Sequence, residues 1–142
     1  MTKQTRGERN NNPGNIRECK IDDQWLGERA TDDDSQFEEF ADSVYGIRAL
    51  AKVLLAYQDK RDLHTVEELI TRWAPPVENN TSSYVQSVVR QTGFAADQAL
   101  YLRDAGVLEK LAKAIIIHEN GRCIYPDELI ARGVNMALGR KI

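Results

Sequence analysis

The chain has 142 residues, 42% of them apolar and 29% charged, with a net charge of −3 at pH 7. That length is enough to bury a sizeable core and suits one domain. The acidic balance argues against a nucleic-acid protein, which would carry a basic face, and gives no electrostatic pull towards an anionic polymer such as a bacterial cell wall. No apolar run is long enough to span a membrane, and the N-terminal MTKQTRGERNNN lacks the apolar stretch of a secretory signal. Cys19 and Cys123 do not have the spacing of a metal site; two reduced thiols in a protein made in the cytoplasm are the default, and a bridge between them the lesser alternative.

Residues 1–6 read as a disordered lead-in. Residues 7–17, GERNNNPGNIR, form a dense turn signal of asparagine, proline and glycine. Such amides either satisfy their own backbone or present paired donors and acceptors to a ligand rich in hydroxyl and acetamido groups. Between residues 16 and 40 helical periodicity is missing; weak strands are expected near residues 15–18, 25–28 and 36–40, in a small irregular hairpin region around an exposed acidic turn, TDDDSQ, at 31–36.

From Asp42 onwards the chain reads as helix. Asp42 or Ser43 caps a helix with Val44, Ile47, Leu50, Ala51, Leu54 and Tyr57 on its apolar face, and Gly46 near its start allows close packing. Residues 59–64 read as a linker. Thr65 and Glu68 form a capping box for a helix that ends at Trp73, before Pro75 and Pro76. Thr81 or Ser82 caps the next, which ends near Gly93. A short helix is expected at 96–101, then the helix of residues 108–121, and a last one opened by Pro126 and stopping near Gly139. The fold class expected is α+β, mostly α.

The segment LEKLAKAIIIHENG, residues 108–121, carries the chemistry of greatest interest. It begins amphipathic, becomes apolar on nearly all sides at 114–117, and ends in His118-Glu119-Asn120-Gly121, so Glu119 stands in the last turn of a buried helix. The helix terminus is partially negative and apolar neighbours disfavour a charge, so both favour the neutral carboxylic acid that a general acid needs. The alternative is a glutamate that merely ends a helix in solvent. There is no nucleophile elbow, phosphate loop or paired-histidine zinc motif, and His118 reads as a surface or capping residue. Carboxylates, amides and aromatic rings remain, an inventory suited to carbohydrate: Asn12, Asn15 and Asn79 as amides, and Trp25, Trp73 and Tyr84 as rings beside polar turns. Each of these also has a plain turn or core reading.

Residues 9–17 (RNNNPGNIR), Trp25-Leu26-Gly27, residues 37–40 with Gly46-Ile47-Arg48-Ala49, residues 72–79 (RWAPPVEN) with Thr81 and Tyr84, and residues 116–121 (IIHENG) occur in this order in a family of phage and prophage proteins. The chain resembles that family, described as virion structural proteins or putative endolysins, from about residue 6 to about residue 139. The family looks like a branch of the lysozyme-like superfamily, which cleaves the glycan strands of peptidoglycan. The resemblance implies a single lysozyme-like domain over residues 1–142, a phage-encoded muramidase or lytic transglycosylase with Glu119 as acid, and, as the non-enzymatic alternative, a virion structural or glycan-binding module with an inherited fold. In lysozyme-like folds the catalytic glutamate precedes the hairpin; here it follows, which implies a circular permutation that packs Gly121 and its neighbours against residues 7–17. The family pattern places a second acid at Asp34, with Asp22 and Asp23 as alternatives, and ranks Glu8 below Glu119. The partners implied are peptidoglycan glycan strands and other virion proteins, with no nucleic acid. The protein is expected to be a monomer, without metal or organic cofactor, carried in a virion or released to the wall through a separate pore.

Overall fold

The computed structural model describes residues 3–18 and 25–140. These residues are mostly helical, in the order α1 (Arg6–Arg9), α2 (Ser43–Arg61), α3 (Val66–Trp73), α4 (Thr81–Thr92), α5 (Ala105–Asn120) and α6 (Asp127–Ala137). No helix among them is long and apolar enough to cross a membrane.

Capping chemistry sets most of the boundaries. The Asp42 side chain accepts from the Val44 amide at the start of α2. Thr65 and Glu68 exchange side-chain and backbone bonds in a complete capping box at α3. Asn80, one residue ahead of the expected cap, accepts from the Ser83 amide at α4. Asp104 accepts from the amides of Gly106 and Val107, so α5 begins three residues before Leu108. Gly93 and Gly121 close α4 and α5 with φ of 80° and 77°, a left-handed conformation that glycine adopts without a Cβ penalty.

α2 packs along α6, α5 lies against both α4 and α6, and α3 rests on α4. Ile47, Leu50 and Leu54 of α2, Ile115 and Ile116 of α5, and Ile130 and Val134 of α6 are at most 2% exposed. Each such side chain contributes roughly 1.5–3 kcal/mol by leaving water. α6 comes within van der Waals contact of α2 because Gly133 has no side chain: a Cβ there would stand 2.6 Å from Ile47 Cγ2.

Further expectations differ from the structure, among them the linker expected at 59–64, whose first three residues are the last turn of α2. The strands near 15–18, 25–28 and 36–40 are reduced, among the described residues, to isolated antiparallel bridges, Arg17 with Phe37 and Glu28 with Phe40. Asparagine side chains take over the work of a ladder: Asn11 Nδ2 donates to the Phe40 carbonyl, and Asn12 Nδ2 to the carbonyls of Ile16 and Glu38. The helix expected at 96–101 is a turn followed by extended chain. Its backbone is captured elsewhere, with the Leu100 amide donating to His64 O and the Gln58 side chain bonding both Leu100 O and the Leu102 amide. Within the lead-in, the described residues 3–6 are held by Thr5, which caps α1 in a capping box with Glu8, and by Arg6, which grips Asp34.

Candidate functional site

The C-terminal turn of α5 is docked onto the asparagine-rich turn by Asn120. This buried amide donates from Nδ2 to Pro13 O at 2.8 Å and to Ile116 O at 2.9 Å, and its Oδ1 accepts from the Thr5 hydroxyl at 2.6 Å. Next to it, Arg122 forms a two-pronged pair with Glu8, at 3.0 Å from Nε and 2.7 Å from Nη2. Segments more than a hundred residues apart are thereby joined.

Docking brings Glu119 against residues of two other segments. Its Oε1 accepts from Asn15 Nδ2 at 2.9 Å and its Oε2 from the Tyr84 hydroxyl at 2.7 Å. Burial first, and then the neighbouring Glu119 charge, hold the Tyr84 phenol far above its usual range, so it remains a donor. His118 stacks on Tyr84 with centroids 3.7 Å apart. Tyr84, 3% exposed, is therefore a positioning residue for the carboxylate, its ring buried away from a sugar. Asn15 has φ of 51°, and its Oδ1 is buried without a partner. An orphaned buried acceptor costs about 1–3 kcal/mol, so donation to Glu119 governs how this amide is turned.

Glu119 stands between two depressions. One, of about 290 Å³, is lined by Asn15, Arg17, Phe37, Tyr57, Trp73 and Glu78 among others. The other, of about 350 Å³, lies over the start of α4 at Asn80, Ser83 and His118. Glu119 and Asn79 border both. Arg17 and Glu78 approach within 3.8 Å across the first depression, and the Phe37 ring lies beneath the guanidinium groups of Arg6 and Arg17 at 4.6 and 5.5 Å.

Asn15, Trp73, Asn79 and Tyr84 thus gather around Glu119, and the other expected site residues do not. Asn12 is fully buried; besides its two donations, its Oδ1 accepts from the Ile16 amide, so it braces the turn and reaches no ligand. Trp25 sits in the 25–28 turn and does not line either depression. Asp34 lines a separate hollow with Arg9 and Asn10. Arg6 holds both its oxygens, at 2.6 and 2.7 Å, and the amides of Gln36 and Phe37 and the Asn10 side chain add to the clamp. The Arg6 guanidinium foremost keeps this carboxyl well below the usual range, and Asp34, so clamped, lines neither depression beside Glu119. Asp22, Asp23 and Cys19 lie outside the described residues. Cys123 carries a free thiol, and burial raises its pKa.

Glu8, the rival acid, is also structural. It is 3% exposed, and the Arg122 hydrogen bonds, outweighing desolvation, hold its carboxyl below the ordinary value of 4.5. A folded-state value lower than the unfolded one stabilises the fold above about pH 4.5, and this contribution disappears as pH falls through the folded value. Glu8→Gln is therefore expected to lower the urea midpoint at neutral pH and to flatten its decline below pH 4.5. An unchanged acid limb would rule out this role.

No family model matches the chain. Protein P5 of Pseudoalteromonas phage PM2 is 41% identical over 129 residues, which cover 90% of this chain and 79% of that protein. The chain belongs to the protein P5 family. The aligned span is long enough to include the larger part of the framework described above, and it sets the chain among phage proteins. Within this P5-type framework, the groove residues that the sequence did not single out are Arg17, Phe37, Tyr57 and Glu78. Arg17 and Phe37 carried a signal as members of turn and strand segments, and Tyr57 as an apolar position of a helix; Glu78 sits in an aperiodic loop.

Proposed function

We propose that this chain is a phage glycosidase that cleaves the glycan strand of peptidoglycan, with Glu119 as general acid, on a permuted lysozyme-like fold. One observation carries the reading: a carboxylate at a helix end, oriented by two fixed donors, lies where two hollows meet. A polymer threaded through both would present a glycosidic oxygen to it. Asn15 and Asn79 offer amides to acetamido and hydroxyl groups, and Trp73 a ring to a sugar face.

The clamped Asp34 favours chemistry that needs one carboxylate. The resting bonds from Asn15 and Tyr84 hold Glu119 as a carboxylate, so one oxygen must exchange its donor for a proton first; Glu119 then gives that proton to the glycosidic oxygen as the C1–O bond breaks. The resulting carboxylate then takes the proton of the sugar's own 6-hydroxyl as that oxygen bonds to C1, leaving a 1,6-anhydro end. Hydrolysis would need a second carboxylate at a defined separation, and on this groove the only other one among the described residues is the exposed Glu78. Digestion of purified peptidoglycan followed by mass analysis tests both levels. Anhydro ends are expected; reducing ends would assign hydrolysis, and no release would leave a glycan-binding or virion structural module, reached by carriage in the particle.

A further inference from the structure

The Glu119 groove does not end at Tyr57. The same ring also lines a larger open depression of about 1000 Å³ on its other side. Its floor is apolar, formed by Tyr57, Leu63 and Pro75, and its rim carries Lys60 and Arg61 from the last turn of α2 and Arg72 from α3. Three cations around one apolar floor stand out in a chain of net charge −3. Among the described residues none of the three is paired with a carboxylate; the Arg72 guanidinium instead lies 5.9 Å above the Tyr57 ring. The two acids on the same rim do not cancel them. Glu68 is committed to the amides of His64 and Thr65, and Glu67 is a single exposed charge.

We propose that this depression receives the acidic stem peptide of the strand whose sugars occupy the Glu119 groove. The inference rests on the glycan-strand reading of that groove. Two physical matches select this occupant. Stem-peptide carboxylates suit the unpaired Lys60, Arg61 and Arg72, whose attraction works at short range in spite of the acidic whole, and their aliphatic portions suit the proline and leucine floor. Continuity is the other: peptides branch from the glycan, so a peptide site must adjoin a sugar site, and Tyr57 is the shared wall.

The test uses the full chain and a synthetic acidic stem tripeptide. Titration followed by amide NMR is expected to shift Leu63, Arg72 and the end of α2, and Lys60→Glu with Arg72→Glu to weaken binding by roughly tenfold, as two partly exposed charge contacts would. Absence of shifts at these amides overturns the proposal, whatever Glu119 does. In a second arm, the double variant should raise KM on intact peptidoglycan and leave cleavage of peptide-stripped strands unchanged; equal loss on both overturns it. If the unaltered chain cleaves neither substrate, the glycosidase reading fails, and the tripeptide titration alone decides the depression.

Discussion

Glu119→Gln is expected to lower turnover on purified cell walls by about 10²–10⁴-fold, the usual contribution of a general acid, with the fold intact. The two side chains have the same shape. The glutamine Oε1 can still accept from Asn15 Nδ2, and its amide can donate to the Tyr84 oxygen once that hydroxyl turns away, so both contacts of Glu119 keep a partner. What is lost is a proton that can leave. Turbidity loss of wall suspensions, measured beside the thermal midpoint, separates the two effects. A variant with unimpaired turnover would remove Glu119 from the mechanism.

Gly46→Ala should produce the second large effect, from a residue that touches no part of the groove. A Cβ at this position in α2 would lie 1.9 Å from the Asn11 carbonyl oxygen and 3.0 Å from Pro13 Cδ. The turn cannot absorb the clash cheaply, because Asn11 and Asn15 already hold φ of 52° and 51°. It must lift away from α2, taking with it the Pro13 carbonyl that anchors Asn120 and the Asn15 amide that holds Glu119. Overpacking of this kind costs typically 1–3 kcal/mol, here with about the upper figure expected. Activity should fall by more than the unfolded fraction explains. Gly106→Ala is the matching control: its Cβ would meet only Asp104 Oδ1, at 3.4 Å, so neither stability nor turnover should fall. If Gly46→Ala matches that control in stability and rate, the turn does not set the site.

Local signals carried the helices. Asp42, the Thr65–Glu68 box, Gly93, Gly121 and Pro126 each act within one turn of themselves, so they can be read from adjacent letters. The meeting of Glu119 with the asparagine turn was also legible, because a family resemblance and the helix order together implied it. What sequence could not disclose is which partner a polar side chain takes at long range. The family pattern alone places an acid at Asp34, and nothing near it in sequence discloses its captor, Arg6, 28 residues away. Asn12 looked like a ligand amide because nothing local says that it is buried under Glu38. Residues 96–101 have helix-compatible letters, and the distant His64 carbonyl and Gln58 side chain decide against them. Between lining the groove and supporting it, the letters around Tyr84 cannot choose, because its hydroxyl partner is 35 residues away.

The bond between Asn15 and Glu119 spans 104 residues, and this distance governs when the groove can close during synthesis. A ribosome delivers the asparagine turn early and the glutamate late, so a growing chain carries one jaw of the site for most of its synthesis. Closing so long a loop is entropically unfavourable until the intervening helices have condensed. On this architecture the groove is withheld from every incomplete product, and a truncated chain that stops short of α5 would lack the Glu119 side of it.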